Sequence, residues 1–200
     1  MSAVEGGTAS VTARLLAAGA GRRMGGPKAL LRDPDGVPFL DRAVGTLLDG
    51  GCPRIRVVLG AQADAARALL EEVGWLEDPA LEVVVAQDWD SGMGASLRAG
   101  LDSLRADSDA TLALVHLVDL PDVTDEVVRR VLDAGTAPET LARATYHGQP
   151  GHPVLIGSAH FARVAEAATG DKGARDYLAG ADVIRVECAD LATGQDVDRP

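Results

Sequence analysis

LLAAGAGRRMGGPKALL, from Leu15 to Leu31, is an apolar, strand-like run that breaks into a turn and then resumes as a second apolar pair. The turn holds Gly19, Gly21, Gly25 and Gly26 around Arg22, Arg23, Pro27 and Lys28. Glycine tolerates positive φ and lets the backbone approach a ligand closely, so successive N–H groups point into one anion-binding concavity. Lysine is scarce in this chain: of 19 Lys and Arg residues only Lys28 and Lys172 are lysines. Lys28 offers the compact point charge that suits a phosphate. The turn is therefore read as a polyphosphate cradle. Two other glycine loops fail on spacing. Met24 stands where the third glycine of a dinucleotide-binding G-x-G-x-x-G would fall. Pro27 precedes Lys28, with no Ser or Thr after it, which excludes a Walker A loop.

Outward from this turn, short β-branched or Leu-rich runs alternate with amphipathic stretches, the pattern of a mostly parallel sheet covered by helices. Strands are predicted at Thr12–Ala18, Ile55–Leu59, Glu82–Ala86, Leu112–Val118 and Val183–Val186. Helices are predicted at Phe39–Leu48, Ala63–Val73, Ala95–Leu104 and Asp125–Ala134, followed by two short ones before the last strand. LARATY and HPVLI, joined through His147 to Gly151, read as a hairpin. Continuous apolar character in VVL, VVVA and LALVHLV marks strands buried on both faces. The expected fold is a single α/β domain over residues 11–200. It has a mostly parallel twisted sheet, helices on both faces and a small β-hairpin extension, with residues 1–10 a disordered N-terminus.

Composition bounds the function. A chain of 200 residues can bury a core without metal or disulfide staples. A formal net charge of −11 disfavours nucleic acid and anionic membranes, because the overall field repels a polyanion. A small anion must then be held by local cations. Cys52 and Cys188 have no zinc-type spacing and fit a reducing compartment. MSAVEGGTAS has neither a basic n-region nor an apolar h-region, and no apolar run reaches the length of a membrane span. A soluble, cytoplasmic protein is expected.

In an open α/β sheet, ligands bind at the carboxyl ends of the strands. The glycine turn follows the first strand there, Gly60 and Ala61 the second, Asp88 the third and Asp119 the fourth. Asp119 closes an apolar strand, and Pro121 follows two residues later, so its carboxylate is held at the sheet edge. That is a hard-oxygen ligand suited to Mg²⁺, which takes one or two carboxylates beside substrate phosphates. The competing reading is a loop aspartate that caps a turn. His116 lies inside an apolar strand and reads as a core histidine, and Trp75 as packing.

The order and spacing of these pieces resemble the MobA-like nucleoside triphosphate transferases. LAAGAGRRMGGPKALL is similar to that family's signature, and LVDLP falls where the family has its metal-binding aspartate. DWDSGMGASLRAGL, GHPVLI, GDKGAR and DVDRP resemble the later motifs in the same order. Within the family the chain most resembles molybdenum cofactor cytidylyltransferases, which transfer CMP from CTP to the phosphate of molybdopterin-bound molybdenum.

The resemblance implies a Rossmann-like nucleotidyltransferase fold, Mg²⁺ or Mn²⁺ as cofactor, and CTP as nucleotide substrate. It also implies a phosphate-bearing acceptor, with a molybdoenzyme maturation chaperone as candidate partner. Arg23, Lys28 and Asp119 become the candidate catalytic residues. Leu16, Ala17, Ala18, Gly19, Gly21, Lys28 and Ser96 become the nucleotide-binding ones. Asp119 would hold the metal with Asp196 or Asp198, which point the same way if their segment is extended. Leu16 to Gly19 resembles the cytidylyl version of the signature, because the guanylyl branch has glycine at the place of Ala18. His152 and Lys172 match the acceptor half.

Nucleotidyl transfer suits these residues: a phosphate acceptor, with a second pKa of about 6, is already ionised and needs no general base. Three alternatives share parts of the pattern. They are a GTP-using or other-acceptor transferase (a sugar phosphate, an isoprenoid or a phosphorylated small acid), a dinucleotide-dependent oxidoreductase, and a non-catalytic cofactor-binding module.

Overall fold

The computed structural model describes residues 10–22, 25–106 and 110–197. Most of the segment expected to be a disordered N-terminus lies outside them, and Ser10 already belongs to the first strand. The strands are β1 (Ser10–Ala17), β2 (Ile55–Leu59), β3 (Leu81–Val85), β4 (Ala110–Leu117), β5 (Leu141–Tyr146), β6 (Gln149–Gly157) and β7 (Ile184–Glu187). The α-helices are α1 (Phe39–Asp49), α2 (Ala63–Glu72), α3 (Met93–Asp102), α4 (Asp125–Leu132), α5 (Phe161–Ala167) and α6 (Arg175–Ala179).

The seven strands form one sheet in the order β3-β2-β1-β4-β6-β5-β7. β1 pairs in parallel with β2 and β4, β2 with β3, and β5 with β7, while β6 runs antiparallel to both β4 and β5. The hairpin of β5 and β6 is thus part of the main sheet, with β6 inserted between β4 and β5. Chain order progresses outward one way from β1 to β3 and resumes on the other side at β4. This places the topological switch point between the carboxyl ends of β1 and β4.

Two apolar layers cover the sheet. Leu40, Val44 and Leu47 of α1, Leu70 of α2 and Val127, Val128 and Val131 of α4 share one cluster with Leu15, Val57 and Leu114. Leu97 and Leu101 of α3, Val164 of α5 and Leu178 of α6 share the other with Leu16, Val58 and Val115. The alternation of Leu15 and Leu16, and of Leu114 and Val115, is the strand period sending successive side chains to opposite layers. Local signals set the helix ends. Pro38 precedes α1, and Gly50 follows it where a Cβ would come 2.4 Å from Val128 Cγ1, so α1 can end close against α4. Asp125 and Glu126 in the first turn of α4, and Arg129 and Arg130 in its last, complement the helix dipole.

The central strand carries one buried cation. Arg14 is 0% exposed; its Nε donates to the Gly100 carbonyl at 2.7 Å and its Nη1 to the Ala13 carbonyl at 3.0 Å. A Cβ on Gly100 would sit 3.3 Å from Arg14 Cδ, so the missing side chain leaves room for the guanidinium to tie α3 to β1.

His116 of β4 is buried, and its Nδ1 has no hydrogen-bond partner among the described residues. Burial, with a smaller contribution from nearby His152, pushes its pKa from 6.5 down to about 3. It is therefore neutral in the folded protein, whereas the unfolded chain takes up a proton below about pH 6.5. Stability held in full above that pH is lost as pH falls toward the folded value, by up to about 1.4 kcal/mol per pH unit for this residue. Urea unfolding between pH 7 and 5 should show the decline, and His116→Leu should flatten it by up to that amount.

Candidate active site

The cleft opens at the switch point. Its first chamber, about 390 Å³, is lined by Leu16 to Arg22 and by Lys28, Trp89, Met93, Ser96 and Asp119, among others. The predicted nucleotide residues Leu16, Ala17, Ala18, Gly19, Gly21, Lys28 and Ser96 all face this one space. Arg23 and Asp198 lie outside the described residues.

Each wall has a local cause. The glycine turn closes on itself, with Gly26 N donating to the Gly21 carbonyl at 3.3 Å. Gly21 has φ +56°, and a Cβ there would meet the Gly26 oxygen at 1.8 Å, so only glycine fits. Pro27 then leads into a short 3₁₀ turn, Lys28–Leu30, that aims Lys28 back at β4. On the far wall Gly92 begins α3 with φ +112°, and a Cβ on it would lie 2.5 Å from Gly170 C. The missing side chain brings the positive end of α3 and the segment around Asp171 together at the chamber wall. Ser96 is buried one turn inside α3, and Trp89 lies against Gly60, where a Cβ would be 2.6 Å from the indole.

Lys28 and Asp119 meet at the centre. Lys28 Nζ donates to Asp119 Oδ2 at 2.7 Å, and the side chains are only 18% and 15% exposed. Residues 91 positions apart are thus joined across the switch point. Asp88, at the end of β3, instead pairs with Arg98 at 3.0 Å. Trp75 donates from its Nε1 to Asp41 at 2.7 Å and packs on the core.

A second chamber adjoins the first and shares Leu16, Met93, Leu117 and Asp171 with it. It contains His152 and Lys172, which the sequence indicated, Arg175, which closes the GDKGAR motif, and also Arg143, which carried no signal. Burial and the Arg143 charge hold the His152 pKa down at about 4, so its imidazole is neutral near pH 7.

The final segment is tied down beside Asp119. Val197 N donates to the Asp119 carbonyl at 3.0 Å. Thr193 N donates to Asp122 Oδ2 at 2.6 Å, and the Thr193 hydroxyl donates to the same oxygen. Gly194 sits against the Tyr146 ring, where a Cβ would be 2.1 Å from Cε2, and Tyr146 Oη donates to the His152 carbonyl at 2.8 Å. Asp196 consequently lines the second chamber. Asp122 carried no signal in the sequence, because a polar residue after a strand-end proline reads as an ordinary loop. Among the described residues no group of three or more His, Cys, Asp or Glu side chains is placed to hold a metal ion. Asp119 lines the first chamber and Asp196 the second, and each carries a carboxylate, the hard-oxygen donor that Mg²⁺ or Mn²⁺ takes.

This architecture agrees with known proteins. Residues 13–186 match the model of the MobA-like NTP transferase domain, and the chain belongs to that family. It is 39% identical to nicotine blue oxidoreductase of Paenarthrobacter nicotinovorans, over 94% of this chain and 92% of that protein. Rv0371c of Mycobacterium tuberculosis superposes with a TM-score of 0.77 and 29% identity, covering 96% of this chain and 94% of that one. Its complex with manganese gives a TM-score of 0.71 and 28% identity, covering 90% and 88%. The 4-diphosphocytidyl-2C-methyl-D-erythritol synthase of Anaerococcus prevotii has a TM-score of 0.73 at 14% identity, over 96% and 91%, a likeness of fold. The chain thus has a nucleotidyltransferase fold, and no helix among the described residues is long and apolar enough to cross a membrane.

Asp122→Ala should release the tail without unfolding the domain. Losing these bonds is worth about 1 to 2 kcal/mol locally, so amides of residues 193–197 should exchange roughly tenfold faster or more. Hydrogen exchange checks this, with the thermal midpoint changed little.

Proposed function

We propose that this chain is a metal-dependent nucleotidyltransferase that moves CMP from CTP onto a phosphate-bearing acceptor, a molybdopterin-type cofactor in the first instance, and releases pyrophosphate. The observation that carries the reading is the Lys28–Asp119 pair, a cation and a carboxylate 2.7 Å apart on the wall of a glycine-lined chamber. A bound triphosphate offers Lys28 a more highly charged partner than one carboxylate, and its move to phosphate frees Asp119 for a divalent cation. Asp119, with Asp196 or Asp198, would hold Mg²⁺ or Mn²⁺, which supplies charge neutralisation between donor and acceptor phosphates.

The chain's own part is alignment and electrostatics. The acceptor oxygen, already ionised, forms a bond to the α-phosphorus as the α–β bridging bond breaks, and the electron pair leaves with pyrophosphate. Lys28 and Arg23 stabilise the charge gathering on the departing group. The backbone N–H groups of the glycine turn and the start of α3 fix the phosphates and sugar. The Ala18 methyl and Trp89 both lie against Gly60, which narrows the base end and favours a pyrimidine. A molybdoenzyme maturation chaperone would receive the product.

A second reading has one observation in its favour, the 39% identity to a protein named as an oxidoreductase. In that reading a nicotinamide dinucleotide occupies the cleft. Met24 in place of a third glycine weighs against it.

Pyrophosphate release from each of the four NTPs, with Mg²⁺ and an acceptor panel that includes molybdopterin, separates the readings when NADH and NADPH consumption is followed alongside. CTP-dependent release is expected. Asp119→Asn should lower kcat by about 10²-fold or more with the fold intact, and Lys28→Ala should act mainly on kcat, the mark of a transition-state interaction. Nicotinamide oxidation with no pyrophosphate from any NTP would overturn the proposal.

A further inference from the structure

The second chamber, about 510 Å³, differs in character from the first. Leu97, Val115, Leu117, Val154, Ile156 and Leu178 give it an aliphatic lining, and Arg143, Lys172 and Arg175 give it cations. The three cations are not equivalent. Lys172 reaches Asp176 at 2.9 Å on the surface, with both side chains more than 60% exposed. Arg143 is half-buried on β5, where Nη2 donates to the Gly151 carbonyl at 3.1 Å and the buried Nε has no partner among the described residues. Burial and the charges of Arg175 and Arg185 both weigh against its protonated form. The chamber's carboxylates, Asp171 and Asp196, form no ion pair with Arg143.

A guanidinium stays charged in a protein, so a half-buried one crowded by like charge favours an anionic partner. The aliphatic surface beside it sets the rest of the ligand. A polyhydroxylated body laid there would lose water without gaining hydrogen bonds, whereas an apolar ring gains by leaving water. We propose that this chamber takes an acceptor with an apolar, ring-sized body and an anionic group of its own, apart from the phosphate that receives the nucleotide. Arg143 is the specificity residue that reads that anion. Calling the ligand an acceptor rests on the transfer reading above; the chemical class does not.

Calorimetry on the nucleotide-free chain tests the class with three probes: 2-naphthoate, its neutral counterpart 2-naphthylmethanol, and gluconate, which sets the same carboxylate on a polar body. Naphthoate is expected to bind about tenfold or more tighter than either of the others. Arg143→Gln should bring naphthoate down to the affinity of naphthylmethanol and leave naphthylmethanol itself unchanged. Arg143→Lys, which keeps the charge but not the fork, should retain an intermediate preference and guards against loss of fold in the first variant. Saturating inorganic tripolyphosphate, which competes for the glycine turn, should leave at least half of the naphthoate affinity in place, which puts the probe in the second chamber and not in the glycine turn. Gluconate binding as well as naphthoate, undiminished naphthoate binding by Arg143→Gln, or no binding of any probe would overturn the proposal. No turnover is measured, so a chain that binds naphthoate in this pattern yet releases no pyrophosphate would sink the transfer reading alone.

Discussion

Lys28 and Asp119 come from different parts of the chain, one from the turn after β1 and the other from the tip of β4, and the ion pair between them requires those tips to be neighbours. The sheet order supplies that condition. β1 and β4 pair in parallel from Ser10 to Leu16, so their carboxyl ends finish side by side at the crevice where connections diverge. The ligand-free pair also holds the site together electrostatically. Each charge is largely removed from water, and each is compensated by the other until a more strongly charged ligand competes. The glycine turn can close only because Gly21 lacks a side chain, and the cation would not reach β4 without the turn after Pro27.

The cleft around this pair is asymmetric in a chemically useful way. One chamber is walled by backbone, with the glycine turn on one side and the start of α3 on the other, and suits a polyanion that many N–H groups share. The other is walled by aliphatic side chains and cations drawn from β4, β5, β6 and the α6 region. Leu16, Met93, Leu117 and Asp171 lie at the boundary, so ligands in the two chambers would meet close to Asp119. The tail that carries Asp196 is anchored by Asp122, by the Asp119 carbonyl and by the face of Tyr146.

Much of this was legible in the sequence where the signal is local. Ile55–Leu59 and Leu141–Tyr146 form strands with the predicted ends, the edges of the other predicted parallel strands differ by one or two residues, and β6 begins at Gln149, three residues before the predicted HPVLI. That Leu16 to Gly21, Lys28 and Asp119 share one chamber was legible because strand ends converge in this class of fold. Partners set by distant pairing were not. Arg143 in LARATY reads as one polar residue on a strand, and only insertion of β6 between β4 and β5 turns it toward a chamber. Arg14 reads as an interruption of an apolar run and is instead a buried tie to α3. The 3₁₀ turns at Trp75–Glu77 and Trp89–Ser91 are too short to leave a periodic pattern.

The central claim is that a single nucleoside triphosphate engages Lys28 in the turn after β1 and that Asp119, just beyond β4, would hold the divalent ion that accompanies it. The direct measurement is the affinity of the chain for the nucleotide that supports turnover, titrated with saturating Mn²⁺ and again with all metal chelated, in the wild type and in Asp119→Asn. The account predicts that the wild type prefers the metal-loaded nucleotide by about tenfold or more and that Asp119→Asn loses the preference while still binding the metal-free nucleotide. An Asp119→Asn chain that kept the full preference would contradict it.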